Sequence, residues 1–268
     1  MNKYLIYGHS ETGNVRANNE DHILLGCCVQ NDGFITVDFS LYDEMYQEHG
    51  LLFAVADGIG GAQGGEVASR TALTEFSDFY YSMTKNIHSA KECCLAISQA
   101  ADHANHVLMN MASNDPSLHG MGCTLSGVCL TPKGYYLYNA GDSRVYRYRE
   151  QFLRHMTNDD TLTNFALKNG LISDTEALTH DGRHVLTNCL GIQSFKLDVH
   201  KGPEWNASDI LLVCSDGLHG MVSHDWMEAI LQKEFTFQEK GEQLVTAALV
   251  AGGKDNISII LIKPLYDE

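Results

Sequence analysis

The stretch Leu51-Leu52-Phe53-Ala54-Val55-Ala56 is wholly apolar and stops at a single carboxylate, Asp57. A short run of this kind, bounded by turn residues, reads as a buried strand. Glycines follow at 58, 60, 61, 64 and 65, where a turn alone needs one. Strand-like runs also lie at 22–29, 122–130, 134–140, 143–149, 208–214 and 256–263, many bounded by Gly, Asp or Asn. Two long helical patterns separate the early strands from the middle ones. Val67, Ala68, Ala72, Phe76, Phe79 and Tyr80 form one apolar stripe. Ala90, Cys93, Cys94, Ile97, Ala101, Ala104, Val107, Leu108 and Met111 form the second, at helical spacing. More helix is expected at about 160–168, 223–233 and 237–250. Strands grouped together, with helices in separate blocks, predict an α+β chain of antiparallel sheets covered by helices rather than a doubly wound parallel sheet.

With 268 residues, 44% hydrophobic and 19% charged, the chain is long enough for one sizeable core, and 1–268 reads as a single domain. Lys and Arg number 18 against 34 Asp and Glu, a formal net charge of −16. That balance argues against nucleic acid or an anionic membrane as the main partner. No apolar stretch reaches membrane-spanning length, and the N-terminal run is too short for a signal peptide. The eight cysteines make no C-x-x-C and sit mostly in apolar surroundings, as Cys214 does in ILLVCSDG. They read as free thiols of a reducing cytoplasm. The polar stretch 158–190 reads as an irregular excursion, the sort of segment that carries function.

The pattern of an apolar run ending on aspartate recurs. DILLVCSDGLHG ends a strand at Asp216-Gly217, and GYYLYNAGDSRVYRY puts Asp142 in a tight, hairpin-like connection between two strands. AGGKDNISIILI puts Asp255 and Asn256 where a glycine-rich loop enters the last strand, and Glu20 and Asp21 precede an early one. Any one Asp-Gly is an ordinary turn dipeptide, because Asp bonds its own backbone and Gly accepts positive φ. Several such carboxylates converging at one edge of a sandwich would repel one another unless a cation neutralised them. Oxygen ligands without His or Cys suit Mg²⁺ or Mn²⁺, and the surplus glycines leave room for backbone carbonyls and water. Arg16, four residues before Glu20, is either a surface partner of Glu20 or a bidentate clamp for a phosphate oxygen.

These segments resemble the metal-dependent protein serine/threonine phosphatases of the PPM, or protein phosphatase 2C, type. The matching pieces are R-A-N-N-E-D (16–21), V-A-D-G-I-G-G (55–61), G-E-V-A-S (65–69), G-C-T-L (122–125), A-G-D-S-R-V-Y (140–146), L-L-V-C-S-D-G-L (211–218) and K-D-N-I-S (254–258). Each is weak alone; in this order they are specific, and they look most like the compact bacterial branch. The resemblance implies a four-layer α-β-β-α sandwich with a paired metal site at one end. It implies Asp57 bridging two Mn²⁺ or Mg²⁺ ions with the Gly58 carbonyl, Asp216 and Asp255 completing one shell, and Glu20 and Asp21 beside the other ion through waters. Asp142 with Asp216 matches a third, weaker site, and Arg16 would hold the phosphate. A hydroxide bridging the ions would then attack phosphoserine or phosphothreonine in line, with no phosphoenzyme.

Two positions depart from the family pattern. Some members carry His after the Asp-Gly where this chain has Ile59, which leaves the general acid unassigned, with a metal-bound water as the default. The flap within 158–190 reads HDGRHVLTNCLG, which makes His184 a candidate contact to the third metal or to substrate. The implied partners are phosphorylated Ser/Thr proteins and a cognate serine/threonine kinase. The alternatives are a catalytically inactive relative that binds phosphoproteins as a scaffold, disfavoured because every metal carboxylate is present, and an unrelated acidic cation-binding domain. Substrate discrimination is expected from the flap and from 30–49, which reads as a hairpin elaboration.

Overall fold

Strands with no polar residue must be covered on both faces, and this sets the layering. The computed structural model describes residues 2–60, 64–85 and 89–266. One sheet runs, edge to edge, β10 (Phe152–His155), β9 (Arg144–Arg149), β12 (Ile210–Cys214), β13 (Ile257–Leu265), β1 (Lys3–Glu11) and β4 (Gly33–Ser40). The other runs β11 (Asp198–Lys201), β8 (Gly134–Ala140), β7 (Leu125–Thr131), β5 (Leu51–Ile59), β2 (Asp21–Leu25) and β3 (Cys28–Gln30), with the short β6 (Gly122–Cys123) on β5. Strand pairing is antiparallel, and β1 against β13 ties the two ends of the sequence together.

Alternation along the strands divides the hydrophobic residues among three cores. On β5, Phe53 and Val55 face the opposite sheet, in a core shared with Ile23 and Val128 of their own sheet and Leu211 and Ile260 of the other. Leu52, Ala54 and Ala56 face the other way, onto α2 (Gly64–Met83) and α3 (Ala90–Asn114). On β12, Leu211 and Val213 point inward, while Leu212 and Cys214 pack beneath α7 (His224–Gln232) and α8 (Phe237–Val250). The result is the predicted α-β-β-α sandwich. Local chemistry fixes the helix starts: Ser89 with Glu92, and Thr236 with Glu239, form reciprocal capping boxes at α3 and α8. The remaining helices are α1 (Glu44–His49), α4 (Leu162–Lys168), α5 (Asp174–Ala177) and α6 (Asp216–His219).

Two expectations are overturned. The 30–49 segment is not a hairpin: β4 pairs with β1, and Tyr42-Asp43 then leads into α1, where the Asp43 side chain accepts the Met45 N–H. Ile35, Val37 and Phe39 alternate onto the inter-sheet core, so the strand pairs where that core is shared, with a partner some 30 residues earlier. The connection holding Asp142 is not a hairpin either. β8 and β9 belong to opposite sheets, so Gly141-Asp142-Ser143 crosses the end of the sandwich. Smaller differences have local causes. Gly26 (φ 67°) folds 22–29 into the β2–β3 pair, and Thr124 interrupts 122–130 because its hydroxyl accepts the Asp57 N–H at 2.9 Å.

Candidate metal centre

The parity that buries Phe53 and Val55 between the sheets carries Asp57 to the end of the same row. Asp21 does likewise on β2, and the two residues are direct cross-strand partners. Asp216 opens α6 after β12, Asp255 precedes β13, Asp142 lies in the sheet crossing, and Glu20 precedes Asp21. All six acidic positions predicted from the sequence therefore come to one end of the sandwich. The glycines allow the backbone to crowd there. A Cβ on Gly58 would stand 2.2 Å from the Gly65 carbonyl oxygen and 2.6 Å from that of Glu20, and one on Gly217 would stand 1.8 Å from the Asn256 oxygen. Gly61, the last residue of the V-A-D-G-I-G-G match, lies outside the described residues.

The carboxylates stand close enough to raise one another's pKa values. Burial raises Asp57 well above the ordinary carboxylate range, and Asp21 and Asp216 add to it. Burial does the same to Asp21, opposed by the Ser215 and Ser258 hydroxyls and reinforced by Asp216. Asp216 is raised by burial and then by Asp255, Glu20 by burial against the pull of Arg16, and Asp142 is pushed up to about 7 by burial and Asp216. Asp21 Oδ2 and Asp216 Oδ1 are buried without a hydrogen-bond partner. Unmatched oxygen donors in excess negative charge fit a hard divalent cation such as Mg²⁺ or Mn²⁺. Among the described residues, no three of the side chains close on one point as a finished shell. Asp255 is turned instead to Arg16, whose Nη2 donates to its Oδ2 at 2.7 Å. That contact takes the place of the alternative Arg16–Glu20 pair, because the 12–20 segment is an irregular loop with no helical i,i+4 spacing.

Beside the carboxylates lies a cleft of about 500 Å³ whose wall includes Asp142, Asp216, Arg183 and His184, with α4 and α5 of the flap across from them. His184 is exposed at its rim, on a 3₁₀ turn (Asp181–His184). Ile59 is more than one-third exposed at the tip of β5.

Sequence reasoning passed over the supports of this site. Thr124 Oγ1 meets Ser143 Oγ at 2.8 Å, and Ser126 donates to the Ser143 carbonyl at 2.7 Å, so Asp57 and the Asp142 crossing share one buried polar chain. Hydroxyls inside the apolar run GCTLSGVCL were the available signal. Arg144 grips Asp159 at the root of the flap through Nε at 2.9 Å and Nη2 at 2.6 Å, a pairing with no local signature.

A family model described as protein phosphatase 2C matches residues 41–251, a span that contains Asp57, Asp142 and Asp216 but not Arg16, Glu20, Asp21 or Asp255. The serine/threonine phosphatase stp of Listeria monocytogenes is 34% identical over 210 residues, covering 78% of this chain and 82% of that one. The S. agalactiae serine/threonine phosphatase structure superposes with a TM-score of 0.81 at 25% identity, over 98% of this chain and 100% of that one. The catalytic domain of serine threonine protein phosphatase PstP, in complex with two manganese ions, gives 0.73 at 27% identity over 97% and 98%. With sequence, family model and architecture in agreement, this chain belongs to the protein phosphatase 2C family.

Proposed function

We propose that the chain is a metal-dependent protein serine/threonine phosphatase, with 1–268 forming one phosphatase domain. The observation that carries this is the meeting of six acidic residues from five separate segments at the end of the sandwich, with Arg16 bonded to one of them, Asp255. Asp57, Asp216 and Asp255, with the Gly58 carbonyl, would hold the Mn²⁺ or Mg²⁺ pair. Glu20 and Asp21 would stand beside the second ion, and Asp142 with Asp216 would form a weaker third site. What such ions supply is positive charge against the phosphoryl oxygens and a water acidified for in-line attack.

The chain's own part is binding and orientation. Arg16 is half-exposed, and only one edge of its guanidinium is engaged by Asp255, so the remaining donors are available to a phosphate oxygen. Asp57 and Asp21 are set by strand register and cannot move apart without breaking the β2–β5 ladder. The substrates are phosphoserine and phosphothreonine in proteins, which a serine/threonine kinase must generate. All eight cysteines are free, which suits a reducing cytoplasm. Among the described residues, no helix is long and apolar enough to cross a membrane.

The test is hydrolysis of p-nitrophenyl phosphate and a phosphothreonine peptide in EDTA, Mg²⁺ or Mn²⁺. Turnover is expected only with a divalent cation, and Arg16→Ala is expected to lower kcat/KM by about 10–100-fold, the cost of a charged phosphate contact. A folded protein that binds Mn²⁺ and turns over neither substrate would favour the scaffolding relative instead. For His184, on the cleft wall with Asp216, His184→Ala is expected to raise the peptide KM severalfold; unchanged KM, turnover and Mn²⁺ dependence would end that role.

A further inference from the structure

We infer that Asn256 is a positioning residue: its carboxamide fastens the loop 12–20 to the start of β13 and so holds Arg16 over the carboxylates. This rests on the reading of Arg16 as the phosphate-holding group. The loop contains neither helix nor strand, and residues 14–18 are exposed, so it has little packing of its own. Asn256 is buried, and both amide protons and the amide oxygen bond to this one loop. Oδ1 accepts the Glu20 N–H at 2.9 Å, and Nδ2 donates to the Thr12 and Asn18 carbonyls, each at 2.9 Å. These partners bracket Arg16 on both sides. The contacts bridge 236 to 244 residues of sequence, so no local preference can replace them.

The chemistry selects asparagine. Two carbonyls and one N–H face the side chain, a pattern that a primary amide answers completely. A carboxylate there would set an oxygen against the carbonyls. A second, weaker fastening lies outside the buried amide. Asn14 donates from Nδ2 to the Leu249 and Gly252 carbonyls at 2.9 and 3.2 Å, and its N–H reaches the Gly253 carbonyl at 2.7 Å. Gly13 (φ 82°) lies so close that a Cβ would stand 2.4 Å from the Asp255 oxygen. Asn256 thus sets where the arginine stands, while Asp255 engages its side chain.

The experiment measures phosphothreonine-peptide kinetics at saturating Mn²⁺ and competitive inhibition by inorganic phosphate. It compares wild type, Arg16→Ala, Asn256→Ala, Asn14→Ala and the Arg16→Ala/Asn256→Ala double variant. Amide hydrogen exchange of 12–20 and Mn²⁺ binding are followed alongside. Asn256→Ala is expected to raise the phosphate inhibition constant and the peptide KM about tenfold, with kcat changed less, as for a displaced binding group. Loop amides should exchange faster while Mn²⁺ affinity stays within about threefold. On the Arg16→Ala background the same change should add less than about twofold. Asn14→Ala, an exposed change that spares the buried amide, should move the same quantities in the same direction by a smaller factor. If the Arg16 and Asn256 effects multiply, or the loop loosens with no change in phosphate inhibition in either asparagine variant, Asn256 supports the fold and not Arg16. If Arg16→Ala alone leaves phosphate inhibition and KM unchanged, the reading of Arg16 fails, and this inference fails with it.

Discussion

Asp57→Asn is expected to lower kcat/KM by on the order of 10³-fold while making the metal-free protein more stable at pH 7.5. The activity figure follows from scale: removing one charge-stabilising group from a reaction centre costs about 10²–10³-fold, and Asp57 is the proposed ligand common to both ions. The gain in stability follows from the same side chain's surroundings. Asp57 is raised well above the usual carboxylate range by burial and by Asp21 and Asp216, so its charged form is held at a cost in the folded state. Asparagine is nearly isosteric, keeps the capacity to form the Asp-Gly turn, and carries no charge. If Asp57 were only a turn former, stability would rise in the same way but kcat/KM would stay nearly unchanged. If it were a structural hydrogen-bonding group, both would fall. Opposite movements of kcat/KM and of the melting temperature in EDTA separate a metal ligand from either.

The distinction matters because the local signal at Asp57 is ambiguous by nature. An apolar run that ends in Asp-Gly is legible because strand burial and turn chemistry both act over a few residues, and Asp57 and Asp216 were readable on that ground. So were the two long helices, whose apolar stripes face one sheet. What was not legible depends on partners far away in sequence. β1 carries one of the longest ladders in the molecule, yet its pairing with β13 and β4 is set by a shared core. The Asp142 connection has the composition of a hairpin turn, and only its position between opposite sheets brings it to Asp216. Arg16 was legible as a phosphate clamp or a partner of nearby Glu20, but not as the residue whose side chain meets Asp255, 239 residues on. Family resemblance supplied the grouping of these residues; their geometry came from the register of two sheets.

The acidic cluster also predicts how pH and divalent cations act together on stability. Burial has raised Asp21, Asp57, Asp216 and Glu20, and Asp142 stands at about 7 against an ordinary value of 3.8. Between roughly pH 4 and 7 the folded, metal-free protein therefore holds more protons than the unfolded chain, and stability from these groups is lost as pH rises through that window. Buried and part-buried neutral histidines act in the opposite sense. His22 and His155 are lowered to about 4 and His219 to about 3, mainly by burial, so they take stability away as pH falls below their ordinary value of 6.5. A melting temperature in EDTA mixes the two trends. The shift produced by Mn²⁺ does not, because the histidine contribution is common to both samples. Binding needs ionised carboxylates, so the shift should be small at pH 5 and large at pH 7.5. At a hundredfold excess over Kd, Mn²⁺ adds about 2.7 kcal/mol, or roughly 5–10 °C for a chain of this size. At pH 5 less than about half of that should remain. Calorimetric scans with and without Mn²⁺ at the two pH values decide it: equal shifts at both would mean that the ion binds away from these carboxylates, and no shift at pH 7.5 would mean that they do not hold it.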